Sequence, residues 1–385
     1  MQAFVSTPNP LSEESDDKTY PLVFGSPGVY ASINLAETLV EGTPAYAISR
    51  TNVSQYAREL LIAGHHVDAV TVTIFAKDNG SVGGLAVVND FDLYRNPIAY
   101  VDISAQSAGF KESEEFWVAW NGGSAVKNPF ASSNVVNGAG DLLLWALSRT
   151  DFDVDQGAWN SARDYLNVFR FSGYLNDPEV TIWEWITEIA KYIPTLTIQN
   201  SPQGVYPIVQ NMSSTTLDCI SVSQGPDFDR ESGVTVEGEQ ADVVNTVTVE
   251  FAYDAAENTS KMYSVIGDVD LTETQRFSSI HSHVSISRYG IKESLVEAPY
   301  IYDRSTAELV AQAAVQMGGQ LPETVRYKAD TYYSFISLGD NLKLTDPDLF
   351  LSEQICTVLG KAWDGDGWLF TLLIEDDIAR DDRHF

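Results

Sequence analysis

Glu184 and Glu188 stand four residues apart, and Trp183 and Trp185 flank the first of them. Carboxylates beside aromatic rings are the equipment of proteins that bind or cleave sugars. A retaining glycosidase, however, needs two carboxyl groups about 5 Å apart across a sugar-sized cleft. On a helix an i, i+4 pair shares one face, which supplies one side of a cleft and not both. The expected role is therefore an amphipathic helix with tryptophan in the core. Carbohydrate binding or glycan cleavage by a β protein is the alternative function.

Other chemistry-bearing residues point to no site. His281 and His283 lie two apart on an expected strand, so their side chains share a side. With a third ligand, or with copies around a symmetry axis, they would hold a metal; two ordinary surface or core histidines are the simpler reading. His65 and His66 follow Gly64 and read as a turn. Asp364, Asp366, Asp376, Asp377, Asp381 and Asp382 suggest a cation site but lack the fixed offsets of a calcium loop that ends in a bidentate glutamate. The pairs Asp364-Gly365 and Asp366-Gly367 read better as hairpin turn residues, since glycine accepts positive φ, and the later aspartates as a solvated tail. Cys219 and Cys356 are too few for a disulfide framework or a zinc site; they would pair only if their Cα atoms came within about 7 Å, and buried thiols are the default. There is no nucleophile elbow, phosphate-binding loop, HExxH or GxGxxG. The sequence assigns no catalytic, cofactor-binding or metal-binding residue and no cofactor. It points to assembly rather than to an enzyme.

Composition narrows the partners. The chain has 385 residues, 54 acidic against 23 basic side chains and a formal net charge of −31. Such a surface repels free nucleic acid, whose binding needs basic groups to displace counterions, and anionic lipid as well. An apolar content of 44%, with 11% aromatic residues, is enough for real cores, and the length predicts two or three domains. No run of 18 apolar residues is present, so no membrane span is expected. The first residues lack the basic and apolar stretches of a secretory signal.

The elements fall into three blocks, with boundaries at residues 1–129, 130–212 and 213–385. The first is mainly strand: residues 19–30 give an apolar run with Pro/Gly turn chemistry, and 66–76, 85–94, 96–105 and 114–123 follow. Residues 54–63 read as a short helix behind Ser54, and Gly80 to Gly84 as a flexible turn. The second block changes period, with helices expected at 140–150, 155–169 and 178–193, Pro178 in the first turn of the last, then a hairpin around Ser201 to Gly204. The third returns to strands: 243–254, 283–290, 338–350 and a pair within 355–377 broken by the Asp-Gly turn. Its one helix is Thr306 to Met317, with Ser305 or Thr306 as cap.

This order resembles the hub proteins at the tip of bacteriophage tails, the family of baseplate hubs and the N-terminal part of tip attachment (host-specificity) proteins. TYPLVFGSPGVY (19–30) resembles the family's early strand and turn. Residues 140–209 are the closest match, resembling its run of helix, D-x-D spacer, helix, strand, helix and final hairpin. VVNTVTVEFAYD (243–254), Tyr289-Gly290, IYDRSTAELVAQAAV (301–315) and LGDNLKLTDP (338–347) resemble the later barrel and connecting helix. Together they cover most of residues 19–375. The chain stops at Phe385, so the receptor-binding or wall-degrading extensions of longer relatives are not implied.

The resemblance implies an α+β, mainly β fold: two tail-tube-like β-barrel or sandwich domains with an α/β insertion block. It implies a homotrimer in the virion, assembled in the host cytoplasm, that closes the distal end of a tail tube and adapts sixfold to threefold symmetry. The implied neighbours are a distal tail protein ring, a tape measure protein and tail fibre or receptor-binding proteins, with transient passage of DNA through an acidic channel. A third reading, an acidic protein of the halophile type, rests on charge alone.

Overall fold

The computed structural model describes residues 21–31, 37–39, 41–48, 59–68, 71–77, 80–91, 95–106, 110, 115–121, 136, 138–177, 179–209, 220–267, 276–277 and 280–374. The chain opens with β1 (Leu22–Phe24), β2 (Val29–Ala31), β3 (Glu37–Leu39) and β4 (Thr43–Ile48). Then come β5 (Glu59–Ala63), β6 (Thr71–Ala76), β7 (Gly80–Ala86), β8 (Val88–Phe91), β9 (Pro97–Asp102) and β10 (Phe116–Asn121). β4 to β10 form one seven-stranded sheet in the order β7-β6-β10-β4-β5-β9-β8. Leu60, Ile62, Val72, Ile74, Val118 and Trp120 pack on one side of it, and all six are fully buried. Trp120 keeps its indole N–H satisfied by donating to the Thr43 hydroxyl at 2.9 Å.

Two expectations fail in this block. Residues 59–63 are a strand, not the end of a helix. Glu-Leu-Leu-Ile-Ala is apolar on both faces because β5 is central: Leu60 and Ile62 face the main core, while Leu61 meets Ile98 on the other side. A short run of that kind carries no period that separates strand from helix. Residues 54–58 lie outside the described residues. Gly80 to Gly84 is not a turn but most of β7, paired with β6 through an irregularity between Val72 and Ile74. Gly80 and Gly84 both have positive φ there (76° and 70°), so the glycines serve a bulged strand.

The middle of the chain holds α1 (Ala139–Leu147), α2 (Gln156–Leu166), β11 (Gly173–Leu175), α3 (Ile182–Lys191), β12 (Leu196–Ser201) and β13 (Gly204–Val209). α1 is buried along its whole length, as a helix with Leu on every face must be. Its Asp141 is matched by Arg163 of α2 at 3.4 Å. β12 and β13 form the expected hairpin, closing at Ser201 and Gly204. α3 starts at Ile182 behind a reciprocal Thr181–Glu184 cap, so Pro178, itself outside the described residues, precedes the first turn instead of occupying it.

The remainder comprises β14 (Ile220–Ser223), β15 (Phe228–Arg230), β16 (Thr235–Val236), β17 (Thr246–Asp254), β18 (Thr259–Ile266), β19 (Arg276–Phe277), α4 (Ile280–Tyr289) and β20 (Glu293–Glu297). After them come α5 (Arg304–Gly318), β21 (Glu323–Ala329), β22 (Asn341–Asp346), β23 (Leu351–Asp364) and β24 (Gly367–Ile374). β19-β18-β17-β20 make a four-stranded sheet, and β14-β22-β23-β24-β21-β15, with β16 also on β21, make a second seven-stranded one. The Asp-Gly turn between β23 and β24 is present, with Gly365 at φ 70°. The fold is α+β and mainly β, with curled sheets.

One core joins regions distant in sequence. Leu142, Trp145, Trp159, Trp185 and Ile189 of the helices cluster with Val247 and Phe251 of β17 and with Val310 and Ala311 of α5. β1 is carried to the same place by pairing with β11, Phe24 opposite Gly173.

Residues 283–289, expected as strand, belong to α4. The alternation in HVSISRY is overridden by a polar anchor. Ser282 and Ser285 fall three apart on one helical face and are fully buried. Ser282 donates to the Asn245 carbonyl at 2.6 Å, and the Asn245 amide donates to Ser285 Oγ at 3.0 Å and to the Gly290 carbonyl at 2.8 Å. Only a helix brings both serines to Asn245. The cap of α5 is Asp303 and not Ser305 or Thr306: its Oδ2 accepts from the Thr306 backbone N–H at 3.1 Å. Thr306 is then free to accept from the Arg170 N–H at 3.0 Å, which fastens α5 to the segment before β11.

Candidate functional site: an aromatic cleft beside α3

α3 buries Ile182, Trp185, Ile186 and Ile189 and turns Glu184 and Glu188 outward. The acidic face does not simply meet solvent. It forms one wall of a cleft of about 500 Å³ whose other walls are β11 with the residues after it, Tyr253 near the end of β17, and the segment that carries Tyr300 and Tyr302. Trp185 closes the base and stacks edge-on against Phe24 at 5.1 Å.

Each wall has a local cause. In β17, Ala252 adopts φ 57° and is not paired with β18, and its N–H goes to the Ile301 carbonyl at 2.8 Å. The register with β18 is unchanged on either side of Ala252, Phe251 opposite Met262 and Tyr253 opposite Ser260, so the left-handed Ala252 ties this end of β17 to the 299–302 segment without an extra residue. Tyr302 then locks the two walls together by donating to the Tyr253 carbonyl at 2.7 Å. Gly173 lets Tyr300 approach: a Cβ there would sit 2.6 Å from its ring.

The electrostatics are fixed by those contacts. Glu184 Oε2 accepts from the Thr181 N–H and hydroxyl at 2.8 and 2.9 Å, which holds its carboxyl below the usual range. Glu188 accepts from the Tyr192 hydroxyl at 3.0 Å and pairs with Lys191 at 2.5 Å. Burial pushes the phenols of Tyr174, Tyr300 and Tyr302 up, so at neutral pH all three keep their protons. The Trp185 indole N–H is buried without an acceptor among the described residues.

The remaining candidates lie outside the cleft. Trp183 lies off the cleft and packs on Phe152 at 5.4 Å. His65 Nε2 accepts the Val23 N–H at 3.1 Å, so its proton sits on Nδ1, 3.0 Å from the His66 carbonyl. Burial depresses its pKa to about 4. His66 lies 2.9 Å from the Asp90 carbonyl and against Phe91. His281 and His283, two apart on a helix, project roughly 200° from each other. No cluster of three or more metal-ligating side chains occurs among the described residues. Asp364 and Asp366 pair with Lys328 at 3.4 and 2.6 Å, while Asp376, Asp377, Asp381 and Asp382 lie outside the described residues. Cys356 is fully buried on β23, and Cys219 lies outside the described residues.

Sequence reasoning found the acids of the cleft and missed its tyrosines. Tyr174, Tyr253 and Tyr300 are scattered over three stretches of chain, and only the pairing of β1 with β11 and the bond from the Ala252 N–H to the Ile301 carbonyl bring them together. The sole local signal was the aromatic run PYIY at 299–302.

The fold has a counterpart in a virion protein of known structure. The chain overlays on a chain from the "virion of native gene transfer agent (GTA) particle" with a TM-score of 0.51 and 11% identity, covering 98% of this chain and 89% of that one. Looser overlays link it to a tail protein from Neisseria meningitidis MC58 (TM-score 0.36, 11% identity, 94% of this chain and 99% of that one) and to the 43 kDa tail protein of prophage MuSo2 from Shewanella oneidensis (0.34, 9%, 94% and 99%). No family model matches the sequence, and no curated protein does.

Proposed function

We propose that this chain is a non-enzymatic structural protein of a phage-type virion: a hub that closes the distal end of a tail tube as a homotrimer and adapts its sixfold symmetry to threefold. The observation that carries this reading is the overlay on a gene transfer agent virion chain across nearly the whole length of both. The architecture suits it. The two seven-stranded sheets among the described residues would give three chains six β bodies to present to a sixfold ring, with residues 1–129 and 213–385 as tube-like domains and 130–212 as an insertion. Edge strands β8 and β16 carry exposed apolar side chains, Phe91 (52%) and Val236 (54%), which a monomer would leave open to aggregation and neighbours in a ring would cover. The charge of −31 fits a lumen through which DNA slides without adhering, because phosphate finds few cations to exchange for its counterions. Its neighbours would be a distal tail protein ring above, a tape measure protein within and fibre or receptor-binding proteins outside. Cryo-electron microscopy of particles containing this chain tests the reading. Three copies ringing the end of a tube are expected; absence of the chain from any tube would refute it.

A further inference from the structure

We propose that the cleft beside α3 is a saccharide-binding site that holds one or two units of a neutral sugar chain. The site lies within one chain and requires no assembly. Its volume of about 500 Å³ falls in the range of small-ligand pockets. Two features of the lining select the ligand. The flat walls are tyrosine rings, Tyr174, Tyr253 and Tyr300, suited to the C–H face of a pyranose. The polar groups are of both kinds: the hydroxyls of Tyr174 and Tyr300 have no hydrogen-bond partner among the described residues, and Glu184 Oε1 is an acceptor left over once Oε2 has capped α3. Sugar hydroxyls donate and accept, so one ligand can engage both sets. An organic cation such as a guanidinium would pair with Glu184 but offer the two phenol donors no acceptor; an apolar ligand would strand these groups. Cleavage is not part of the proposal. Both carboxylates stand on one face of α3, and both Glu188 oxygens are engaged by Tyr192 and Lys191.

Trp185 cannot serve as the test residue, because it is a core side chain at 1% exposure and its loss would unsettle the fold. Tyr300→Phe and Glu184→Gln keep shape and remove single polar functions. Titration calorimetry on the full chain would use chitotriose, maltotriose and cellotriose, with N-acetyl-arginine amide as the cationic control, at up to about 10 mM, where millimolar binding is still read. One trisaccharide is expected to bind with an affinity indifferent to about 0.5 M NaCl. Each variant should weaken it roughly fivefold or more while its melting temperature stays near that of the wild type. The proposal is overturned if none of the three sugars binds, if both variants bind as the parent does, or if only the arginine amide binds and salt abolishes it.

Discussion

Replacing Asp346 with Ala removes the one carboxylate around which the C-terminal sheet is tied. Asp346 is fully buried at the end of β22. It accepts two bonds from Arg230 Nη1 on β15 at 3.0 and 3.2 Å, one from the Tyr327 hydroxyl on β21 at 2.6 Å, and the backbone N–H of Asp348 at 3.0 Å. Breaking one side of a buried ion pair costs about 3–5 kcal/mol. The Arg230 side chain is 23% exposed and can turn to water, which places the charge contribution near the lower limit, about 3 kcal/mol. The Tyr327 hydroxyl, on a fully buried residue, loses its partner and adds up to about 1 kcal/mol. Asp346→Ala should therefore destabilise this sheet by about 3–4 kcal/mol, and Asp346→Asn, which keeps an acceptor, by about 2 kcal/mol. Because the chain has several cores, a single unfolding transition is not assumed, and native-state hydrogen exchange by mass spectrometry reads the effect locally. Peptides covering β15, β21 and β22 should lose roughly 100- to 1000-fold protection, while those from β5 and β6 stay unchanged. A loss below about threefold in the C-terminal sheet would refute the reasoning and mean that the pair only offsets its own desolvation. Arg230→Met on the Asp346→Asn background should cost less than the sum of the two single changes.

Two further predictions rest on polar groups inside the fold. His65 is held neutral, with a folded pKa of about 4 against 6.5 for the free side chain. Its contribution is present above pH 6.5 and is lost as pH falls toward 4, when the unfolded chain takes up a proton that the folded ring refuses. The full shift would be worth about 3 kcal/mol, and the partly exposed edge of the residue reduces this to about 1–2 kcal/mol. The melting temperature of His65→Gln should accordingly fall less between pH 7 and pH 4.5 than that of the wild type, and parallel curves would count against the assignment. Asn245→Ala should cost about 3 kcal/mol, since Asn245 is fully buried and its side chain bonds to Ser285, Gly290 and Lys292. Amide exchange in α4 should rise well before that in α5, and equal protection of the two helices would contradict the anchoring role.

Much of the fold was legible in the chain because local chemistry and burial agreed there. α1, α2 and the β12–β13 hairpin come from helical spacing of large apolar residues, an aspartate cap and turn chemistry, which act within a few residues. The Asp-Gly turn between β23 and β24 is local in the same sense. The misassigned elements are those where a distant partner decides. β5 is a strand because sheet neighbours cover both of its faces. α4 is a helix because Asn245, some 40 residues away, bonds two serines that only helical spacing aligns. β7 is a strand because β6 tolerates its glycines through a bulge.

The candidate site divides the same way. The sequence by itself determined the acidic face of α3, since the i, i+4 spacing of Glu184 and Glu188 and the apolar positions between them fix which side turns outward. It also determined the overall charge, and with it the class of partners that electrostatics excludes. Only the tertiary structure decided that this face borders a cleft. The opposing tyrosines arrive through the β1–β11 pairing, the Ala252–Ile301 bond and the Tyr302–Tyr253 bond, contacts between residues tens to hundreds of positions apart. Their formation depends on closing long loops around a shared apolar core, a free energy that no local pattern records.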